Sequence, residues 1–396
     1  MQVMDKFPFA QRTNWSQQSN ALSKALEQLR EQGVDILDLT ASNPTNCGFS
    51  YPQETLAALG SLENLQYQPD ACGMKKARDA VAGYCARQQQ HLSADHVILT
   101  ASTSEAYSFL MRLLVDPGEG VLAPRPSYPL FQFLLEINDV HVDYYPLSYD
   151  GLKWHLDLPA LQQLVEEKSP KAIILVNPNN PTGSYISREE LDFLNELCSK
   201  HQVAIISDEV FFEYALGEAD FVSLAGNRHA LTFILGGISK ALGLPQMKCS
   251  WILSSGPQEA WQESMARLEI IADTYLSVNT PVQHALGAWL KGVSGVQQQI
   301  TTRVKENKQW LDLQLRHRPS LSLLSLEGGW YATLRIPGLK SEEEQVLEFL
   351  REDHVLVYPG YFFDFEKEAY IILSLISPIA TFREGVGRIL QRLEKI

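Results

Sequence analysis

Cysteine and histidine are sparse and unpaired in this sequence. Five cysteines and nine histidines occur among 396 residues, and they form no C-x-x-C pair, no H-x-x-x-H pair and no mixed cluster. Disulfide scaffolds and structural zinc sites depend on such patterns. We therefore predict free thiols in a reducing compartment and no metal site.

Long apolar runs and basic clusters are missing as well. No stretch approaches the roughly 18–20 apolar residues that span a bilayer, and the first residues lack the cationic start and apolar stretch of a secretory signal. The formal net charge is −14 without a basic cluster, which argues against nucleic acid and anionic membranes as partners. Cytoplasmic localisation is therefore expected.

The usual nucleotide-binding loops are also absent. Neither G-x-x-x-x-G-K-[ST] nor G-x-G-x-x-G occurs in the chain. These patterns are the main sequence signals for nucleoside triphosphates and dinucleotides, so neither is predicted as a ligand.

Short β-branched runs alternate with helical patterns from about residue 97 onward. This alternation predicts an α/β fold, with a mostly parallel sheet flanked by helices in a large domain. The last third predicts a smaller α+β domain. We place the large, cofactor-binding domain at 46–290, and the small domain at 291–396 together with the N-terminal segment 1–45. The predicted helices are 16–33, 74–90, 102–115, 128–137, 187–202, 257–272, 295–316, 341–352 and 380–394.

Three polar side chains lie at or just after the ends of predicted strands. They are Asn180 after the strand in 171–183, Asp208 in the strand 203–211, and Lys240 at the end of 231–240. Ligands of parallel sheets bind beyond the carboxyl ends of the strands. We therefore expect these three residues to share one crevice.

Each of these residues also has a plain structural interpretation. Lys240 can form a Schiff base when its pKa is lowered, although a lone lysine is usually a solvated surface residue. Asp208 can pair with a buried cationic nitrogen or simply cap a loop. The segment "TASTSEA" (100–106) can bind an anion at a helix start, or its hydroxyls can merely cap the helix. Together, the set matches what pyridoxal phosphate requires.

Ordered motifs over nearly the whole chain resemble the class I/II aminotransferases, which are fold-type-I pyridoxal-phosphate enzymes. The set is specific because all members occur in order. The motifs are "SNPT" (42–45), "YQPDACGMKKAR" (67–78), "TASTSEA" (100–106), "PRPSYP" (124–129), "NPNNPTG" (177–183), "SDEVF" (207–211) and "ISKALGLP" (238–245).

The resemblance implies pyridoxal 5'-phosphate as cofactor and a role for each matching residue. Lys240 would hold the cofactor as an internal aldimine and move protons, while Asp208 would pair with the pyridinium nitrogen. Asn180 would bond the ring 3-oxygen and Tyr128 would stack on the ring. The remaining implied residues are Thr103, Ser104 and Ser239 at the phosphate, Tyr67 at the phosphate of a neighbouring subunit, and Asn43 near the substrate.

The cofactor motifs depart from the family pattern at three positions. Phe211 stands where the family usually has a tyrosine that donates to the 3-oxygen. Lys248 stands where an arginine usually contacts the phosphate, and it cannot offer the same two-pronged contact. Gly237 stands where many members have a serine.

The largest departure is Ile372, in "AYIILSLISP" (369–378), where the family has an arginine that grips the substrate carboxylate. Three explanations are open. Another arginine serves, with Arg12 as the substrate residue chosen here and Arg125 and Arg335 as further candidates. The alignment is displaced. Or the substrate has no carboxylate at that place, as in an amine or an amino sugar.

The preferred function is an aminotransferase (a transaminase of the EC 2.6.1 type). It would move an amino group from an amino acid or amine to a 2-oxo acid, in a homodimer with shared active sites. The alternative is another pyridoxal-phosphate reaction, of the β-lyase or synthase type, favoured if no carboxylate-binding arginine exists. A non-enzymatic binding protein is a third hypothesis, which the presence of Lys240, Asp208 and Asn180 disfavours.

Overall fold

The computed structural model describes residues 7–16, 18–86, 92–217, 221–292, 294–366 and 369–395. Helices overlap all nine predicted segments, although the predicted 16–33 and 128–137 are too long, and four further helices at 54–57, 158–168, 238–241 and 280–291 were not predicted. The helices are α1 (Ala21–Glu31), α2 (Glu54–Ala57), α3 (Lys75–Cys85), α4 (Thr103–Leu114), α5 (Phe131–Glu136), α6 (Leu158–Lys168), α7 (Arg188–His201), α8 (Ile238–Ala241), α9 (Gln258–Asp273), α10 (Thr280–Lys291), α11 (Ser294–Leu315), α12 (Glu342–Asp353) and α13 (Ile379–Leu393).

The strands are short, as in most globular proteins. They are β1 (Leu37–Asp38), β2 (Val97–Thr100), β3 (Gly120–Arg125), β4 (His141–Tyr149), β5 (Trp154–Leu156), β6 (Ala172–Val176), β7 (Ala204–Asp208), β8 (Thr232–Gly237), β9 (Ser250–Ser255), β10 (Ser322–Leu323), β11 (Tyr331–Arg335), β12 (Val355–Leu356), β13 (Tyr358–Pro359) and β14 (Tyr370–Ser374).

A large mixed sheet organises the first two thirds of the chain. In the described residues it has eight strands in the order β2-β9-β8-β7-β6-β3-β4-β5. The five neighbours β8, β7, β6, β3 and β4 are parallel, whereas β2, β9 and β5 pair antiparallel at the two sides. This arrangement confirms the predicted α/β class.

Helices cover both faces of this sheet, which explains its apolar strands. Every residue of β6 is buried, because strands covered on both sides have no solvent face. One core packs α3, α6, α7 and α10 against the sheet. A second core packs α4, α5 and α9 against the opposite face.

The last part of the chain forms a smaller α+β unit. Its sheet has the order β10-β11-β14-β13, and its strands pair antiparallel. A third core joins this sheet to α1, α11, α12 and α13. The N-terminal segment takes part because β1 pairs in parallel with β12.

The strand prediction over 231–240 is wrong at its end. The strand β8 stops at Gly237, and Lys240 lies on the single-turn helix α8. The ladder ends there because Gly237 pairs with Ser250, the first residue of β9, so no partner residue of β9 lies beyond it. The predicted helix 74–90 ends at Cys85, and its residues 87–90 lie outside the described residues.

Among the described residues, no helix has both the length and the apolar character needed to cross a membrane.

Candidate active site

The three predicted residues at the strand ends line one cavity of about 680 Å³. Asp208 ends β7, while Asn180 and Lys240 follow β6 and β8 within a few residues. These strands are parallel neighbours, so their carboxyl ends meet at one edge of the sheet. The crevice expected from the sequence is therefore present.

Asp208 is a half-buried carboxylate with two hydrogen-bond donors. The Tyr107 hydroxyl donates to its Oδ2 at 3.2 Å, and the Val210 amide donates to its Oδ1 at 3.2 Å. Burial raises the pKa of Asp208 to about 6, although both donors and the nearby Lys240 charge oppose the rise. The carboxylate is thus mostly ionised at neutral pH and faces the cavity.

Lys240 lies under two aromatic rings. Its Nζ is 5.1 Å from the ring centre of Trp330 and 5.6 Å from that of Phe211, and it donates to the Ser42 carbonyl at 3.2 Å. Burial lowers the pKa of Lys240 to about 8, against the opposing charge of Asp208. A neutral, nucleophilic amine is therefore accessible close to neutral pH.

Phe211 is buried and makes an edge-to-face contact with Trp330, at 5.1 Å between ring centres. Tyr214, three residues after Phe211, carries a phenol that could substitute for the missing one. Its hydroxyl instead donates to the Lys240 carbonyl at 2.6 Å. Tyr214 therefore fixes the backbone that carries the lysine.

The polar side of the cavity fits pyridoxal phosphate. The amide oxygen of Asn180 is buried and has no hydrogen-bond partner, so this side chain is available to a ligand. Thr103, Ser104 and Ser239 also line the cavity, and Thr103 begins α4, where backbone amides favour an anion. Tyr128 lines the same space.

Two predicted cofactor residues do not line this cavity. Tyr67 is 74% exposed and borders a different depression, near Leu276 and Gln283. Lys248 is exposed and has a left-handed backbone with φ of 50°.

The two predicted substrate residues are engaged elsewhere. The Asn43 side chain accepts hydrogen bonds from the Thr45 amide at 3.1 Å and hydroxyl at 2.8 Å. Its neighbour Ser42 lines the cavity instead. Arg12 forms an ion pair with Asp139.

The other arginine candidates, Arg125 and Arg335, do not line the cavity either. Arg125 stacks on Tyr144, with its guanidinium carbon 4.4 Å from the ring centre. Arg335 is exposed at the end of β11. Ile372 is fully buried in the small sheet. Among the described residues that line the cavity, Lys240 is the only basic one.

Sequence reasoning missed several residues of this cavity. Tyr107 lies four residues after Thr103 on α4, so helical spacing could have placed it on the same face. Tyr331 and Tyr358 come from the small sheet, and Trp15 comes from the N-terminal segment. No local pattern links these three to the large sheet.

A family model described as aminotransferase class I and II matches residues 36–375. The chain belongs to this family of aminotransferases. It is 27% identical to the glutamate-pyruvate aminotransferase AlaA of Escherichia coli strain K12 over 350 residues, which is 86% of each chain. It is 28% identical to the alanine aminotransferase of Mycobacterium tuberculosis strain H37Rv over 362 residues, which is 87% of this chain and 82% of the relative.

Solved structures show the same fold. The alanine aminotransferase of Pyrococcus furiosus superposes with a TM-score of 0.86 at 23% identity, over 95% of this chain and 96% of the other. The tyrosine aminotransferase of Leishmania infantum superposes with a TM-score of 0.82 at 24% identity, over 96% of this chain and 99% of the other. The relatives do not favour the lyase or synthase alternative.

Proposed function

We propose that this chain transfers an amino group from an amino donor to a 2-oxo acid, with pyridoxal phosphate as cofactor. Membership of the aminotransferase family supports the reaction class. The observation that carries the proposal is one cavity lined by both Lys240, whose pKa is lowered to about 8, and Asp208, whose pKa is raised to about 6.

Seven of the cavity residues have a proposed role in this reaction. Pyridoxal phosphate supplies an electron sink for the carbon that bears the amine. Lys240 would hold the cofactor through Nζ and, when released, carry a proton. Asp208 would keep the ring nitrogen protonated, and Asn180 and Tyr128 would orient the ring. Thr103, Ser104 and Ser239 would bind the phosphate.

Four further residues have proposed roles that follow from the resemblance to the family. Phe211 would pack beside the cofactor without donating to it, and Lys248 would add positive charge near the phosphate. Tyr67 would reach the phosphate bound by a neighbouring copy, and Asn43 would lie near the substrate. These roles rest on the family motifs quoted above.

The lyase alternative gains nothing from the missing arginine. β-Elimination that yields pyruvate also starts from an amino acid, and the carboxylate of that amino acid would need the same positively charged binding partner. The absence of a guanidinium in the described lining bears on the substrate and does not select elimination.

Reconstituted protein with amino donors and a 2-oxo acid tests the function. We expect pyridoxamine phosphate after the donor alone, and a new amino acid once the 2-oxo acid is added. Borohydride reduction and peptide mapping should label Lys240. A Lys240→Ala variant should lose transfer, whereas Lys171→Ala, which removes a surface ion pair with Glu119, should retain it. Pyruvate and ammonia without an acceptor would instead indicate elimination.

Three larger-scale predictions accompany this function. The large domain is proposed at 46–290, and the small domain at 291–396 with 1–45. A homodimer with shared sites is proposed, since Tyr67 is exposed and does not line the cavity of its own chain. A cytoplasmic location is proposed because all five cysteines are free thiols.

A further inference from the structure

The cavity is lined by polar and by apolar side chains. Besides Lys240 and Asp208, its lining includes Leu130, Phe133 and Ile137 in and beside α5, and aromatic residues such as Trp15 and Phe362. Leu130, Phe133 and Ile137 are 48%, 44% and 43% exposed. Apolar surface left open inside a cavity is the surface that a bound apolar group would cover.

The N-terminal segment closes part of this wall. The Trp15 ring makes an edge-to-face contact with Phe133, at 5.4 Å between ring centres. The Trp15 indole N–H also donates to Glu136, at the end of α5. This side of the cavity is therefore shaped by aromatic packing.

Ile372 belongs to the sheet face that borders the cavity. It lies opposite Thr333 on β11 and opposite Tyr358 on β13. Directly paired residues of antiparallel strands share a face, and Tyr331, two residues from Thr333, shares it too. Both Tyr331 and Tyr358 line the cavity. The position expected to carry an arginine thus carries an isoleucine between a threonine and a tyrosine.

The tyrosines here cannot replace a cation. Burial is the main cause that raises the pKa of Tyr331, and it also raises the pKa of Tyr128, so both phenols are neutral at physiological pH. Within the described lining of this chain, a carboxylate entering this region would lose water and meet no positive side chain other than Lys240, which the reaction itself requires. Such desolvation is unfavourable.

We propose that the preferred substrate is a primary amine with a bulky apolar group and no carboxylate on the carbon that bears the nitrogen. This inference rests on the proposed function. In the reaction the C–N bond of the amine breaks and its carbon is oxidised by two electrons to a carbonyl. Water would supply the carbonyl oxygen, and the nitrogen and both electrons would pass by way of the bound pyridoxal phosphate to the 2-oxo acid, which becomes an amino acid in the second half-reaction. Because the 2-oxo acid carries a carboxylate, its KM should be higher than that of the amine.

A matched pair of donors tests this directly. 2-Phenylethylamine and L-phenylalanine carry the same benzyl group and differ only in the carboxylate. With wild-type holoenzyme we expect kcat/KM for the amine to exceed that for the amino acid by about tenfold or more, the effect of a buried charge without a partner. 3-Methylbutylamine and L-leucine should show the same order.

The outcomes separate the two proposals. If alanine or glutamate yields pyridoxamine phosphate and the apolar amines do not, or if phenylalanine outperforms phenylethylamine, the substrate inference is wrong and the transfer function stands. If no amine or amino acid yields pyridoxamine phosphate, the transfer function fails and the inference falls with it.

Binding provides a readout that does not depend on turnover. Quenching of tryptophan fluorescence should give a lower Kd for 3-phenylpropan-1-ol than for 3-phenylpropanoate. Leu130→Ala should weaken binding of the alcohol several-fold. Leu152→Ala, at an exposed turn outside the cavity, is the matched control and should leave it unchanged. Equal or tighter binding of the carboxylate contradicts the inference.

Adding the missing charge is the reverse test. A folded Ile372→Arg protein should raise kcat/KM for phenylalanine relative to phenylethylamine. An unchanged ratio in that folded protein would contradict the assignment of this sheet position. If the buried arginine prevents folding, the test is the ratio of the kcat/KM values of the wild-type protein for phenylethylamine and phenylalanine.

Discussion

At the scale of single residues, the pKa values of Lys240 and Asp208 both depart from their ordinary values because the two side chains line one cavity. Burial disfavours both charges, which lowers the pKa of Lys240 to about 8 and raises that of Asp208 to about 6. Each charge partly offsets the shift of the other. The window between the two pKa values includes neutral pH, so the acid is ionised there while some of the amine is neutral.

Removing the carboxylate should therefore shift the lysine further. In Asp208→Asn, the ammonium form of Lys240 loses an attractive charge, so its pKa should fall below about 8. The pH dependence of pyridoxal phosphate capture by the apo-protein measures this. Capture by wild type should increase with pH around 8, and the midpoint should move down in the variant. Asp79→Asn, at a surface ion pair with Lys75, should not move it. An upward shift in Asp208→Asn contradicts the account.

Tyr107 is predicted to position Asp208. Loss of its hydrogen bond in Tyr107→Phe should raise the Asp208 pKa above about 6, because that bond stabilises the ionised form. The acid limb of the rate profile should then move to higher pH. Tyr145→Phe is the control, since this buried tyrosine donates to the Ile174 carbonyl at 2.7 Å. An acid limb that moves equally in both variants would remove the specific role of Tyr107.

Phe211 is expected to affect the bound cofactor through the hydroxyl that it lacks. A phenol at this position could donate to the 3-oxygen and stabilise its anionic form. The pH at which the absorbance of the bound cofactor changes should therefore be lower in Phe211→Tyr than in wild type. Spectrophotometric titration of both proteins checks this, and an equal or higher value in the variant refutes it.

At the scale of elements, the capping box of α7 connects two parts of the large domain. The Glu190 carboxylate accepts from the Ser187 amide at 2.8 Å, and it also accepts from the Leu156 amide of β5 at 2.8 Å. Glu190 is buried. One side chain therefore caps a helix and holds the edge strand.

Replacing Glu190 should cost more than replacing the equivalent residue of α12. Glu190→Ala leaves a buried amide of β5 without its partner, at about 2–3 kcal/mol of unfolding free energy. Glu344 caps α12 in the same way through Ser341 but is exposed, so Glu344→Ala should cost less. Urea denaturation of both variants makes the comparison. Similar losses would show that the contact with β5 contributes little.

At the scale of the whole molecule, exposed apolar side chains cluster in one segment. Leu62 and Leu65 are 82% and 85% exposed, close to the exposed Tyr67. If the proposed dimer uses this segment, Leu62→Asp with Leu65→Asp should shift sedimentation from dimer to monomer and weaken cofactor retention. Leu152→Asp, equally exposed at 81% on another turn, is the control. A wild-type monomer, or an unaffected dimer in the double variant, would count against this interface.

Much of the fold was predictable because its signals are local. Buried strands such as Ala172–Val176 are short runs rich in β-branched residues. The capping box at Ser187 predicts the start of α7. The crevice followed from one general property of parallel sheets, since the ends of neighbouring strands meet at one edge. Local patterns failed at Gly237, where the pairing with β9 ends three residues before Lys240.

The sequence by itself determined the fold class, the family motifs and the convergence of Asn180, Asp208 and Lys240. Only the tertiary structure decided what surrounds them. Tyr331 and Tyr358 reach the cavity from a separate sheet, and Arg12 is held by Asp139 outside the lining. The reason is physical: periodicity and strand ends are encoded in neighbouring residues, whereas the solvation and charge of a cavity depend on side chains brought together from distant parts of the chain.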